Sequence, residues 1–139
     1  MYPIIGLDIS KSKIGFATID GENLLPRPLF TMERGTRKRD LEKCVEYLQK
    51  FNAKTVVIGL PLERDGTLGE RAVWVRRIAR DIKHMIAPDV YLVDERYTTV
   101  EAKEYLLDGE RNANVDALAA VNILKRFIEN KREGNIEAI

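Results

Sequence analysis

Residues 4–19, IIGLDISKSKIGFATI, decide the fold of this chain. Residues 4–8 form a short apolar run that ends in an acid, which is typical of a buried strand. Ser10, Lys11 and Ser12 make a turn, residues 13–19 are predicted to form a second strand, and Asp20-Gly21 is a strong hairpin signal. The chain therefore begins with two antiparallel strands, and the first of them ends at Asp8.

Outward from this hairpin, the sequence alternates between strand and helix periods. A third strand is predicted within residues 24–32, where Pro26 and Pro28 favour an edge position. The remaining predicted elements are a helix over 37–51, a strand over 55–59, a helix with its apolar stripe on Ala72, Val75, Ala79, Ile82 and Ile86, a strand over 90–93, a helix from Thr98 or Thr99 to about Leu107, and a helix from Asn114 or Asp116 to about Lys131.

The predicted order is β-β-β-α-β-α-β-α-α. Strands joined by tight turns are antiparallel neighbours, whereas strands reached through a helix are parallel. The fold class is therefore α/β, with a mixed five-stranded sheet, three antiparallel strands and then two parallel ones, flanked by helices. We expect one domain over residues 1–139, with a frayed tail over 131–139.

Composition narrows the class of protein. Cys44 is the only cysteine, which excludes an internal disulfide and favours a reducing compartment. No secretory signal or membrane-spanning run is recognisable, so a cytoplasmic protein without membrane contact is expected. The net charge of +1 does not indicate a nucleic-acid binder, but arginine clusters at 34–39 and 71–80 could track phosphates. Solvated helix faces are the alternative reading of those clusters.

Acids stand where strands end. Asp8 closes the first strand, and Asp94 and Glu95 close the fifth, at the edge where open α/β sheets hold ligands. Asp116 lies on the same helical stripe as the apolar residues Ala119, Ala120, Ile123 and Phe127. A carboxylate taken out of water is costly unless it is paired, so Asp116 should bind a metal or another cation, or cap the N-terminus of the helix. An N-cap role for Asp116, and pairing of Asp94 or Glu95 with Arg96, are the alternatives.

Acids from three elements that converge on one edge would suit hard divalent cations. Carboxylate oxygens prefer Mg²⁺ or Mn²⁺, and a pair of such ions about 3.5–4 Å apart can activate water and stabilise the leaving oxygen of a phosphodiester. The sequence offers no His/Cys set for zinc, and His84, the only histidine, is expected to be structural or solvated.

Four segments, GLDISKSKIGFA, VVIGLPLERDGTLGERAVWVRRIA, VDERYTTVEA and VDALAAVNIL, resemble the YqgF family, also called RuvX, over roughly residues 4–125. The resemblance implies an RNase H-like fold with Asp8, Glu95 and Asp116 as catalytic metal ligands, and favours Glu95 over Asp94. It implies a metal-dependent endonuclease that matures the 5′ end of precursor 16S ribosomal RNA, or else a Holliday junction resolvase acting on branched DNA.

Substrate contacts are expected from Lys13, Arg71, Arg76, Arg96 and Thr98, although Arg96 could instead orient an acid. The glycine-rich loop at 59–69 either holds a phosphate or is purely structural. The chain departs from the family in having Ser10 where a glycine is usual, and Arg111 as the only cation near the start of the last helix.

Three functions stay open at the level of sequence. Cleavage of structured RNA is the leading hypothesis. A junction resolvase would need a homodimer, because two sites must cut two strands. A nucleic-acid-binding module without turnover is the third, and metal titration separates it from the other two. A sugar-kinase-like nucleotide fold also begins with such a strand, but the chain is too short for its two lobes.

Overall fold

The computed structural model describes residues 1–86, 88–94 and 115–134. Their elements are β1 (Ile4–Ile9), β2 (Lys13–Ile19), β3 (Arg27–Glu33), α1 (Arg37–Lys50), β4 (Thr55–Leu60), α2 (Glu70–Ile86), β5 (Asp89–Asp94) and α3 (Val115–Arg132). Each corresponds to a predicted element. The helix predicted from Thr98 or Thr99 lies outside the described residues.

The strands form one sheet in the order β3-β2-β1-β4-β5. β1 pairs antiparallel with β2, and β2 with β3, whereas β4 is parallel to both β1 and β5. This is the predicted mixed five-stranded sheet. β1 lies at its centre, because the first hairpin supplies one neighbour and the first helical crossover supplies the other.

Side chains alternate between the two faces of the sheet. On one face Ile5, Leu7 and Ile9 of β1 join a core beneath α1 and α2. On the other face Ile4 joins a second core beneath α3, which contributes Ala120, Ile123, Leu124 and Phe127. β1, β2 and β4 are covered on both sides, which explains why their sequences are almost continuously apolar.

The helices begin where the local sequence predicts. Thr36 caps α1, and its hydroxyl accepts a hydrogen bond from the Arg39 backbone N–H at 3.2 Å. The apolar stripe of α2 is buried at Ala72, Val75, Ala79 and Ile82 as predicted, Ile86 is only partly buried, and Ile78 is buried as well. His84 is exposed on α2, in agreement with the expectation of a solvated histidine.

The connection between β2 and β3 differs in detail from the Asp20-Gly21 signal. The chain turns over residues 20–26, where the Leu24 N–H donates to the Gly21 carbonyl at 3.2 Å. The residue with positive φ is Asn23, at 63°, an angle that asparagine tolerates better than most side chains. β3 is an edge strand, as the prolines predicted, and Pro28 pairs opposite Ala17 beside a register shift.

Cys44 is buried in the core beneath α1. Burial, with a smaller contribution from the nearby Asp40 carboxylate, raises the pKa of the Cys44 thiol from 9.0 to about 12. The thiol is therefore a neutral core group. Among the described residues, no helix is long and apolar enough to cross a membrane.

Candidate active site at the carboxyl edge of the sheet

The carboxyl ends of β1, β4 and β5 share one edge of the sheet, because the three strands are parallel. We call it the carboxyl edge. α1 and α2 also begin there, since each leads from this edge to the start of the next parallel strand. The edge therefore combines strand ends with helix N-termini, whose N–H groups favour nearby negative charge.

Asp8 lies in β1 one residue before the strand ends, and only 3% of it is exposed. It alternates with Ile4 and Gly6, whose neighbours are on α3, so its side chain projects from the α3 face of the sheet. A carboxylate this deeply buried needs partners, and Asp8 has at least one interaction within the described residues.

Glycines flank Asp8 on both neighbouring strands. Gly15 of β2 is its direct partner in the antiparallel register. The parallel register of β1 and β4 pairs Leu7 with Ile58, and one further step sets Asp8 beside Gly59. Paired residues share a face of the sheet. Neither neighbouring strand therefore places a side chain at the position paired with Asp8.

The backbone of Asp116 packs against Gly15. A Cβ atom on Gly15 would overlap the backbone carbonyl group of Asp116 and lie 2.5 Å from the Ala117 nitrogen. The first turn of α3 therefore rests directly on the residue paired with Asp8. Paired Cα atoms lie about 4.5–5.5 Å apart, so the Asp116 backbone rests on the residue that is one strand spacing from Asp8.

The contact at Gly15 was not predicted from the sequence. A glycine inside an otherwise apolar strand is a signal for close backbone approach, and Gly15 in KIGFATI carried that signal. α3 begins at Val115, so Asp116 lies in the first turn rather than at the N-cap position. The apolar stripe of the helix, including Ala119 and Ala120, is buried as predicted.

The two acids at the end of β5 can be separated by strand alternation. Val90 and Leu92 face α2, and Tyr91 and Val93 face α3, so Asp94 is on the α2 face, opposite Asp8. The Asp94 carbonyl accepts a hydrogen bond from Arg126 of α3 at 2.8 Å, which fastens the strand end to the helix that carries Asp116. Glu95 lies outside the described residues.

The cations predicted to contact the substrate are distributed unevenly. Arg71, in the first turn of α2, donates to the Ile9 carbonyl at 3.4 Å, so it lies one residue from Asp8. Lys13 begins β2 at the same edge and is exposed. Arg76 is five residues further along α2, which turns it about 140° away from Arg71. Arg96 and Thr98 lie outside the described residues.

The loop between β4 and α2 is closed by its own hydrogen bonds. The Glu63 N–H donates to the Thr67 carbonyl at 3.0 Å, the Gly66 N–H to the Glu63 carbonyl at 2.8 Å, and the Thr67 N–H to the Asp65 carboxylate at 3.0 Å. These donors are already used within the loop. The arrangement favours the structural alternative for the glycine-rich segment over a phosphate cradle.

Ser10, which replaces the usual family glycine, closes the turn between β1 and β2. Its hydroxyl donates to the Lys13 carbonyl at 2.9 Å and accepts from the Lys13 N–H at 3.1 Å. Ser10 is not among the positive-φ residues. The turn therefore needs no glycine, and the serine side chain stabilises it.

Two comparisons of sequence agree with this geometry. Residues 2–130 match the family RuvX, described as Holliday junction resolvase. A protein of Rippkaea orientalis named "Putative pre-16S rRNA nuclease" is 36% identical over 133 residues, which span 92% of this chain and 96% of the relative. A protein of the same name from Carboxydothermus hydrogenoformans is 35% identical over 92% of this chain and 96% of its own length.

Solved structures show the same fold at low sequence identity. RuvC of Thermus thermophilus, in complex with a Holliday junction substrate, superposes with a TM-score of 0.68 at 16% identity and covers 98% of this chain and 99% of its own. The fowlpox virus Holliday junction resolvase gives a TM-score of 0.61 at 10% identity, covering 92% of this chain and 98% of its own. The sheet is thus the RNase H-like one that the resemblance implied. By the match over residues 2–130 and these relatives, the chain belongs to the RuvX family of nucleases.

Proposed function

We propose that this protein is a metal-dependent endonuclease that hydrolyses phosphodiester bonds in precursor 16S ribosomal RNA at the carboxyl edge. The observation that carries the proposal is the contact at Gly15, which brings the first turn of α3, with Asp116, against the partner of the buried Asp8. Relatives named as pre-16S rRNA nucleases, which match this chain over nearly its whole length, support the choice of substrate. Such an enzyme would work in the cytoplasm.

The donor set fits a hard divalent cation. Asp8 and Asp116 offer carboxylate oxygens, and the packing of α3 on Gly15 brings the element that carries Asp116 to the strand beside Asp8. We propose Glu95 as the third ligand, since the resemblance to the family favours it and it directly follows Asp94, whose own side chain is on the α2 face. Mg²⁺ or Mn²⁺, as two ions when both are bound, would supply an activated water and stabilise the leaving oxygen.

The side chains of the protein have separate tasks in this proposal. The buried carboxylate of Asp8 is held on a central strand and cannot move far, which favours precise orientation of a ligand. Arg71 and Lys13 place positive charge beside it, where a substrate phosphate would lie. We propose Arg96 and Thr98 as further phosphate donors because they directly follow Glu95 in the sequence.

Cleavage of Holliday junctions is the second candidate. The similarity to RuvC bound to a junction favours it, and the chemistry of the acids would be the same. This function requires a homodimer, because both strands must be cut symmetrically. A binding module without turnover is the third candidate, and it requires no metal at Asp8.

A cleavage assay with two substrates tests these alternatives. A labelled RNA that carries the 5′ precursor region of 16S rRNA, and a four-way DNA junction, would each be incubated with protein in Mg²⁺ or Mn²⁺. We expect the RNA to be cut, and Asp8→Asn to lower the rate by at least about a hundredfold. Preferential cutting of the junction by a dimer would favour the second candidate.

Asp94 and Glu95, which are adjacent in the sequence, provide a matched control. Glu95→Gln is expected to abolish cleavage, whereas Asp94→Asn, at the adjacent residue but on the α2 face, is expected to leave it unchanged. Binding of Mn²⁺, followed by the loss of its free-ion electron paramagnetic resonance signal, is measured in parallel. Cleavage by Asp8→Asn at the wild-type rate would refute the mechanism. An Mn²⁺ affinity that is the same in Asp8→Asn and in wild type would favour the third candidate.

A further inference from the structure

We propose that Arg34 is a positioning residue for the active site: it fixes the turn that begins two residues after Asp8, so that the Asp8 carboxylate is held ready for a divalent cation. This inference rests on the proposed function, because it gives Arg34 a role in metal binding through Asp8. Sequence patterns had placed Arg34 in a basic cluster that could track phosphates or be solvated. The structure assigns it neither role.

Arg34 follows β3 and turns inward at the carboxyl edge, and only 17% of its side chain is exposed. Its Nη1 donates to the Ser10 carbonyl at 2.8 Å and to the Lys11 carbonyl at 3.5 Å. Its backbone N–H donates to the Ser12 carbonyl at 2.9 Å. Three consecutive carbonyls of the turn after β1 are therefore bound by one residue.

Arg34 completes a pattern that Arg71 begins. Arg71 binds the Ile9 carbonyl, and Arg34 binds the next carbonyl, that of Ser10. The two arginines come from different elements, α2 and the end of β3. The two residues after Asp8 thus each have a carbonyl held by a guanidinium, and this stretch of backbone cannot shift without breaking a hydrogen bond to a charged donor.

The guanidinium of Arg34 is itself held from two further directions. Its Nε donates to the Asp40 carboxylate at 3.3 Å, and its Cζ lies 3.7 Å from the centre of the Trp74 ring of α2. Asp40 is 1% exposed, and the Gly35 N–H also donates to it at 2.8 Å. A planar guanidinium can make all these contacts at once, which a lysine ammonium cannot.

Arg34 therefore joins the β1–β2 turn, the start of α1 and the start of α2 at the edge where Asp8 lies. Groups that orient metal ligands from outside the coordination shell commonly change metal affinity or activity by about 10–100-fold when they are removed. A residue that only stabilised the fold would change the free energy of unfolding and leave the affinity of the folded protein for metal unaltered.

The test compares Mn²⁺ affinity in the full chain for wild type, Arg34→Met and Arg34→Lys, by electron paramagnetic resonance and by titration calorimetry. We expect about tenfold weaker binding for Arg34→Met, with partial recovery for Arg34→Lys. Arg27→Met is the matched control, because Arg27 is at the other end of β3 and forms an ion pair with Asp20 at 2.8 Å. The control is expected to bind Mn²⁺ like wild type.

Loss of Arg34 leaves the buried Asp40 with one donor fewer, which could unfold the protein. The double variant R34M/D40N removes that carboxylate charge and keeps the measurement possible. Trp74, the only tryptophan, reports the local contact by its fluorescence. We expect its emission to change in every Arg34 variant, while circular dichroism shows an intact fold.

Folded Arg34→Met or R34M/D40N protein with wild-type Mn²⁺ affinity and wild-type cleavage would overturn the inference. Mn²⁺ binding that depends on Asp8 but is insensitive to Arg34 would refute the role of Arg34 alone. Mn²⁺ binding that Asp8→Asn leaves unchanged would instead refute the proposed function, and the role of Arg34 with it. The two failures are thereby distinguished.

Discussion

Replacement of Gly15 by alanine is expected to disable the enzyme and to lower its stability without unfolding it. The added Cβ would lie 2.5 Å from the Ala117 nitrogen, and it would overlap the Asp116 carbonyl group more severely. Ordinary van der Waals contacts of a Cβ begin at 3.4 Å, so the start of α3 must move by at least 0.9 Å. This movement carries Asp116 away from Asp8.

Two magnitudes follow from that displacement. Overpacking of a well-packed core costs about 1–3 kcal/mol, which a domain of this size survives. A misplacement of about 1 Å in a catalytic constellation costs about a hundredfold in rate. We therefore expect Gly15→Ala to fold, to bind Mn²⁺ more weakly, and to cleave precursor 16S RNA about a hundredfold more slowly.

Two control variants separate position from stability. Gly6→Ala meets Leu124 Cγ at 2.7 Å, so it strains the same helix on the same face, but further from the acids. Gly21→Ala meets only the Leu24 side chain, at 3.4 Å, beyond the opposite edge of the sheet. Urea unfolding, Mn²⁺ binding and cleavage are measured for all three. Equal activity of Gly15→Ala and Gly6→Ala at equal stability would refute the reasoning.

Three further predictions concern other parts of the chain. Arg71→Met should raise KM about tenfold through loss of a charged contact at the carboxyl edge, whereas Arg76→Met should change it less; the reverse order would contradict the placement of Arg71. Ser10→Gly should lower the free energy of unfolding by about 0.5–1.5 kcal/mol in urea without raising the cleavage rate, and a faster enzyme would show that the serine hinders the site. Because the pKa of Cys44 is raised to about 12 in the folded protein, its contribution to stability is complete below pH 9 and is lost as pH rises to about 12; Cys44→Ala should remove this component of the decline, and an unchanged slope of unfolding free energy against pH would contradict it.

The sheet was predictable because each strand carries its own signal. Continuous apolar runs predicted the buried strands, and the prolines near the start of β3 predicted an edge. The 3.6-residue stripes predicted α1, α2 and α3 to within a few residues. These signals are local, because each depends only on the spacing of apolar residues within one segment.

The interior of the site was less predictable because it depends on contacts between distant segments. Nothing adjacent to Gly15 in the sequence indicates that residue 116 will lie on it. The arginine cluster at 34–39 looked like a single surface feature, yet Arg34 turns into the edge while Arg37 pairs at 4.0 Å with Asp81 on α2. The resemblance favoured Glu95 over Asp94, whereas the apolar run of β5 alone did not show that Asp94 lies on the α2 face.

The contact between Gly15 and the start of α3 also has a consequence for biosynthesis. Asp8 and Asp116 are separated by more than a hundred residues, so Asp116 reaches the sheet only after α3 has docked on it. A chain still emerging from the ribosome, with β1 and β2 already formed, would present Asp8 before Asp116 has arrived. On the proposed assignment, a nuclease that acts on ribosomal RNA would thus stay inert beside the ribosome that makes it until α3 has emerged and docked.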